Sequence, residues 1–197
     1  MLKRLLDILV SFVGLLLLSP FLLVIAVGIK ADSEGSVFYK GERVGRYGKS
    51  FKIYKFRTMV QNAEQLGGSS TANDDKRLTK LSGFLKKYQI DEIPQLINVL
   101  RGEMSLVGFR PDTKFYTDML TDKERIILSI KPGITDYASL WNFHEGEVLK
   151  GSTDPEKLYQ EKIRPKKIEL QLKYIKEQSF LTDLEILFRT IKKVISQ

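Results

Sequence analysis

The chain has 197 residues, a formal net charge of +8, a single histidine and no cysteine. Without cysteine there is no disulfide, no Cys-ligated zinc and no thiol nucleophile. With His144 alone, a His-rich metal site or a two-histidine proton relay is excluded. The length suits one soluble domain plus an appendage. The basic balance implies nucleic acid, anionic lipid or a phosphorylated substrate, although solubility alone would also account for it.

Residues 5–29 are almost wholly apolar, interrupted by Asp7, Ser11, Ser19 and Pro20. About 20 such residues suffice to span a bilayer. A signal peptide fits the positive start, Lys3-Arg4, but neither the length of the run nor the lack of a small-residue cleavage site after it. A plain transmembrane helix fits hydropathy alone. Ser19-Pro20 introduces a third reading. Pro20 lacks an N–H and clashes with the preceding turn, and Ser19 can satisfy a freed carbonyl. Positive charge at both ends, Lys3-Arg4 and Lys30, favours one cytoplasmic side for both. The expectation is a re-entrant helix–break–helix over residues 1–30, with Asp7 near the interface, where a charge is tolerated better than at mid-bilayer.

Residues 31–197 contain no repeat and no Pro/Gly-rich linker. Residues 37–39 and 51–56 read as short strands around a turn at Gly45 to Gly48, and Gly41, Gly45 and Gly48 match no Walker or dinucleotide fingerprint. Residues 61–76 read as a mobile polar loop of the kind that covers a site. Residues 78–88 read as a short helix carrying Lys80, Lys86 and Lys87. Residues 94–100 read as a second, with Ile93, Leu96, Ile97 and Leu100 as its core face. Residues 155–176 form a helical, mostly solvated stretch. Residues 180–191 are amphipathic, and either close the core, the ordinary role, or lie on the membrane.

Chemistry concentrates around Asp91-Glu92. Pro94 belongs in a first helical turn, which places both acids at a helix start, where N–H groups and the dipole stabilise a carboxylate or phosphate. An ordinary Asp cap followed by a solvated Glu is the plain alternative. Lys55, Arg57, Lys86 and Arg110 supply cations around the pair. A carboxylate nucleophile forms an acyl-phosphate, and cations or magnesium neutralise charge on the transferring group.

Several ordered motifs resemble the bacterial sugar transferase family, the monotopic phosphoglycosyl transferases that initiate surface-glycan assembly. They are Ser19-Pro20, Gly41-Glu42-Arg43-Val44-Gly45, Lys55-Phe56-Arg57-Thr58-Met59, and Asp91-Glu92-Ile93-Pro94-Gln95-Leu96-Ile97-Asn98-Val99-Leu100. Met104-Ser105-Leu106-Val107-Gly108, Arg110-Pro111 and Lys131-Pro132-Gly133-Ile134-Thr135 complete the set. The resemblance covers nearly the whole chain. It implies transfer of a sugar-1-phosphate from a UDP-sugar to undecaprenyl phosphate, a polyprenyl phosphate, with release of UMP. It implies Mg2+, Asp91 as the nucleophile and a metal contact, and Glu92 as a supporting acid. Lys55, Arg57, Lys86, Arg110 and Pro111 would meet phosphate or nucleotide, and Ser19-Pro20 would break the membrane helix. Three departures stand out: Lys86 replaces the usual arginine, Phe109 precedes Arg110, and the segment from Asp136 to Phe143 differs from the common Gly-Trp-Ala-Gln. Trp141 and His144 would then line a sugar pocket, with a packed aromatic and a surface histidine as the plain alternative.

The resulting expectation is an α/β fold, mainly helical with a short β element. A compact cytosolic domain over residues 31–197 would sit on a re-entrant membrane helix. The enzyme would be monotopic in the inner membrane, its catalytic domain facing the cytoplasm. Membrane lipid is a partner, nucleic acid is not, since no recognition motif supports it, and a homodimer is left open. The rival readings are a membrane-anchored scaffold and a nucleotide-sugar hydrolase.

Overall fold

The computed structural model describes residues 2–66 and 71–196. Residues 67–70, the centre of the predicted polar loop, lie outside them. Helix α1 runs from Leu2 to Asp32 and stays helical through Pro20, so the expected break at Ser19-Pro20 is not an interruption of the helix. The reason is local. Proline has no N–H for the carbonyl four residues back, which is that of Leu16. Ser19 Oγ donates to that carbonyl instead, at 2.8 Å.

Helix α1 lies along the rest of the molecule. At its start Lys3 bonds the Val107 carbonyl at 2.9 Å and pairs with Asp183, while Arg4 bonds the carbonyls of Val99 and Leu100. Asp7 is buried and accepts from Ser105 Oγ at 2.9 Å and Leu106 N at 3.0 Å. At its end Ile29 packs with Phe56, Leu85 and Ile90, and Asp32 accepts from Leu81 N. The outer face, with Leu5, Phe12, Leu16, Leu17, Leu23 and Val24, is exposed and apolar.

Two antiparallel ribbons follow. Strand β1 (Phe38–Tyr39) pairs with β4 (Lys55–Phe56), Phe38 opposite Phe56; β2 (Glu42–Val44) pairs with β3 (Ser50–Lys52), Arg43 opposite Phe51. The single strand expected over residues 51–56 is therefore two, and an unforeseen strand at Glu42–Val44 closes the turn. Asn98, fully buried, bridges the gap between β3 and β4: its Oδ1 accepts from Tyr54 N at 2.9 Å and its Nδ2 donates to Lys52 O at 2.8 Å. Those ladder groups are satisfied by a side chain rather than by another strand.

Helix α2 (Ala63–Leu66) and α3 (Ser82–Lys87) come next. The helix expected from residue 78 starts late because that backbone is already engaged. Val60 N donates to Arg77 O, Thr79 N to Thr58 O, and Leu78 bridges Met59. Helix α4 (Gln95–Arg101) ends at Gly102, whose φ of 82° is the left-handed cap conformation. Its fully buried residues are Gln95, Asn98 and Val99, whereas Ile93, Leu96, Ile97 and Leu100 are half-buried. Of that face, Leu96 packs on the cluster of Leu106, Val107, Tyr174 and Ile186, and Ile93 on that of Ile29, Phe56 and Leu85, while Gly14 of α1 also lies against Leu96.

Strand β5 (Ser105–Val107) and β6 (Gly133–Thr135) run parallel, joined through α5 (Lys114–Asp118). Gly108 and Gly133 cross so closely that a Cβ on either would run into the other segment's backbone. Helix α6 (Tyr137–Trp141) is capped by Asp136, which accepts from Ser139 N at 2.7 Å. Then come α7 (Glu145–Val148), α8 (Pro155–Leu158), a π-helical turn at Tyr159–Ile163, α9 (Arg164–Glu177) and α10 (Phe180–Ile195). The stretch expected to be solvated buries Lys167, Ile168, Gln171 and Tyr174 of α9. Helix α10 buries Asp183 and Ile186 but leaves Leu181, Phe188 and Ile195 exposed, so core packing and an open apolar flank coexist.

Candidate active site

The acid pair sits in a turn of its own. Gln89, in the left-handed conformation at φ 55°, ends α3, and its Nε2 donates to the Lys86 carbonyl. Ile90 is buried among Ile29, Phe56 and Leu85. With Ile90 fixed, the 3-10 turn Ile90–Glu92 aims both acids away from that cluster. Helix α4 begins only at Gln95, and neither Asp91 nor Glu92 makes a side-chain cap to it. The ordinary Asp-cap alternative is absent.

The two carboxylates differ sharply. Glu92 accepts from Lys55 Nζ at 2.8 Å and from Arg110 through a fork, Nη1 to Oε2 at 2.9 Å and Nη2 to Oε1. Burial alone would raise its pKa, but Arg110 and Lys55 together hold it below the usual carboxylate range. Asp91 is 8% exposed and accepts no hydrogen bond from the described residues. Burial, then the Glu92 charge, pushes its pKa up to about 6, against the pull of Lys55, Arg110 and Lys86. One acid is thus fixed and ionised, and its neighbour is free and titrates near neutrality, the separation that marks working acid pairs.

A cleft of about 1460 Å³ opens over the pair and is also lined by Lys55, Arg57, Lys86, Arg110, Pro111, Trp141 and His144. The fold therefore gathers all the predicted polar positions outside α1. Lys86 makes no ion pair among the described residues, and burial lowers its pKa. Trp141 is 46% exposed at the end of α6, and His144 meets Phe143 edge-on. Arg57 is the exception to its expected role. Its guanidinium is turned onto the carbonyls of Ser33, Glu34 and Ser36, and so ties down the chain leaving α1. Leu18 of α1 lines the same cleft, so the apolar helix reaches the site, whereas Ser19 and Pro20 do not line it.

Sequence reasoning missed Asp112, Glu145, Tyr159 and Lys167, which also line the cleft. Asp112 follows Arg110-Pro111 directly and was within reach. Lys167 lies in a run of basic residues, and only its phase with Ile168, Gln171 and Tyr174 hinted at burial. Among the described residues no group of three or more His, Cys, Asp and Glu gathers as a metal cage. Asp91 nonetheless suits magnesium, which takes one or two carboxylates and completes its shell with water and substrate phosphate. The Glu92 oxygens are already occupied by Arg110 and Lys55.

An apolar helix long enough to anchor in a membrane, laid on a helical body whose carboxylate–cation cleft reaches that helix, sets the class of protein to be compared. The sequence model of bacterial sugar transferases matches residues 1–197, and the chain belongs to that family. A UDP-N-acetylgalactosamine-undecaprenyl-phosphate N-acetylgalactosaminephosphotransferase of Aeromonas hydrophila is 34% identical over 197 residues, 98% of this chain and 44% of that protein. A UDP-glucose:undecaprenyl-phosphate glucose-1-phosphate transferase of Escherichia coli (strain K12) is 38% identical, over 98% of this chain and 40% of that protein. The uncharacterized sugar transferase EpsL of Bacillus subtilis (strain 168) is 36% identical, over 98% of this chain and 87% of that protein. The chain thus spans less than half the length of the first two relatives and most of the third.

Proposed function

We propose that the protein transfers a sugar-1-phosphate from a UDP-sugar to undecaprenyl phosphate and releases UMP, with Asp91 as nucleophile. The observation that carries this reading is the free, buried Asp91 carboxylate beside a Glu92 locked by Arg110 and Lys55. An Asp91 oxygen attacks the phosphorus that bears the sugar. The bond from that phosphorus to the UMP oxygen breaks, and UMP leaves with the electron pair. An oxygen of undecaprenyl phosphate then attacks the same phosphorus, and the Asp91–phosphorus bond breaks to restore the carboxylate.

Arg110, Lys55 and Lys86 face the charge that moves between these oxygens. Glu92, held well below the usual carboxylate range, is a poor base; it orients Arg110 and Lys55. Magnesium, where bound, would neutralise the diphosphate, and Asp91 would be the protein group to hold it. Leu18 at the cleft edge gives a lipid-borne acceptor an apolar approach from α1. Both ends of α1 bind the same body, which supports a monotopic membrane protein; the positive flanks Lys3-Arg4 and Lys30 favour the cytoplasmic side for that body.

The test is UMP release by the detergent-solubilised protein with magnesium, undecaprenyl phosphate and a panel of UDP-sugars. Lipid-dependent release from one donor is expected, with a loss of roughly 1000-fold or more in Asp91→Asn, a floor well under the loss on the order of a million-fold that removing a nucleophile can cause. Intact-mass spectrometry without acceptor should find a phosphosugar adduct absent from the variant. Release indifferent to lipid would make the protein a hydrolase, and a folded protein silent on every donor would remove the reading.

A further inference from the structure

A second charged cluster lies behind Arg110. Lys167, 7% exposed in the first turn of α9, donates to Asp112 Oδ1 at 2.7 Å and to Tyr159 OH at 3.1 Å. Tyr159 opens the π-helical turn, a wide turn often found beside functional sites. Here it brings Tyr159 and Lys167, eight residues apart, onto the same point.

Asp112 is two residues beyond Arg110, with Pro111 restricting the chain between them. Its own carbonyl accepts from Val44 N at 3.0 Å. On the other side of Arg110, Phe109 is buried against Val44, Ile127, Leu128 and Ile168, the residue after Lys167. The segment 109–112 is thus docked on α9 by one apolar and one charged contact, and between them Arg110 projects its fork onto Glu92. Lys167 is buried and Asp112 half-buried; an ion pair that draws a charge out of water is seldom more stabilising than apolar packing of the same volume, and its best-attested use is to fix a register. The geometry points to Lys167 as a positioning residue that, through Asp112, holds Arg110 in place against the acid pair.

The consequence reaches the acid pair through Arg110, whose fork on Glu92 a slack 109–112 segment would loosen. Lys167 itself is faced by Asp112, Tyr159 and Glu145, and Asp136 lies within reach of both Lys167 and Arg110. The inference rests on the assignment of Asp91 as the working carboxylate, but it can be read without turnover.

The experiment uses the full chain in detergent with Lys167→Met and Asp112→Asn, alone and together. Hydrogen–deuterium exchange of the peptide covering residues 109–112, read by mass spectrometry, reports how firmly the segment is held. Its exchange should speed up roughly 10-fold in each single variant. The double variant should add little, because the two residues act through one contact. In the transfer assay kcat should fall about 10- to 100-fold, with donor KM moving less, and Lys167→Arg, which keeps the charge, should restore much of it. Unchanged exchange in folded Lys167→Met, or fully additive effects, would overturn the inference. Should Lys167→Met not fold, unchanged exchange in Asp112→Asn overturns it equally. Faster exchange in a protein without lipid-dependent release would keep the positioning role and remove the proposed reaction.

Discussion

Asp91 and Glu92 are neighbours in the chain and opposites in setting. The difference predicts a stability effect whose sign is fixed. Asp91 has a folded pKa of about 6 against an ordinary 3.8. A raised carboxyl pKa means that the folded state binds the proton more tightly. The stabilisation from that proton is complete below the unfolded pKa and is lost as pH rises through the folded one. Asp91→Asn should therefore be more stable than the parent above about pH 6, by on the order of 3 kcal/mol, and no more stable below about pH 4. Thermal melts at both pH values check it; an advantage independent of pH would mean that the buried charge is not its source. The same residue should set the acid limb of transfer, with activity falling as pH drops through about 6. This much of the site was legible, because the pair, Lys55, Lys86 and Arg110 are local motifs whose residue types carry their chemistry. Arg57 was not, since a guanidinium beside such a motif serves backbone carbonyls or phosphate equally well, and only tertiary structure decides. Lys167 and Tyr159 were hidden because no short motif records a pairing across 55 residues, as between Lys167 and Asp112.

At the scale of elements, the sequence signals that succeeded were periodic and those that failed depended on partners. Helices α4 and α10 were read from spacing, whereas the apolar run of α1 was read from composition, with a break at Ser19-Pro20 that the helix does not show. The strand over residues 51–56 was misdrawn because Asn98, on a helix, supplies the hydrogen bonds that part β3 from β4. Asn98→Ala would remove the partner of Tyr54 N and Lys52 O, both groups partly open to water. A loss of roughly 1–3 kcal/mol is expected, about 0.5–1.5 kcal/mol for each hydrogen bond. A urea midpoint unchanged from the parent would show the ribbon break to be set elsewhere. The apolar face of α4 was expected as core; Leu96 and Ile93 do pack on buried clusters, but all four of its residues stay half-buried and α1 lies against the same helix. A sequence pattern reveals that a face is apolar, not whether core or anchoring helix receives it.

The whole molecule turns on how α1 meets the bilayer. A helix of 31 residues is roughly 46 Å long at 1.5 Å per residue, longer than a hydrocarbon core of about 30 Å. Length alone would let it cross. Its contacts argue otherwise: Lys3, Arg4 and Asp7 bind β5, α4 and α10, while Ile29 and Asp32 bind the ribbon and α3 side of the same body. A perpendicular crossing would strip one of those ends from its partners and leave Asp7, Ser105 and Leu106 N without theirs. The exposed flank of α10, with Leu181, Phe188 and Ile195, offers a second apolar surface whose first turn is tied to Lys3 through Asp183. The expected arrangement is a protein seated in one leaflet with residues 3 and 30 on the same side. The chain has no cysteine, so single cysteines can be introduced without background. Lys30→Cys and Lys192→Cys should react with a membrane-impermeant maleimide from the cytoplasmic face only. Leu17→Cys, on the exposed apolar face, should be protected from both. A tag ahead of residue 2 should also be reached from the cytoplasmic face. Its appearance on the opposite face, with Lys192→Cys still cytoplasmic, would mean that α1 crosses the bilayer and that its polar contacts to the body are broken in the membrane.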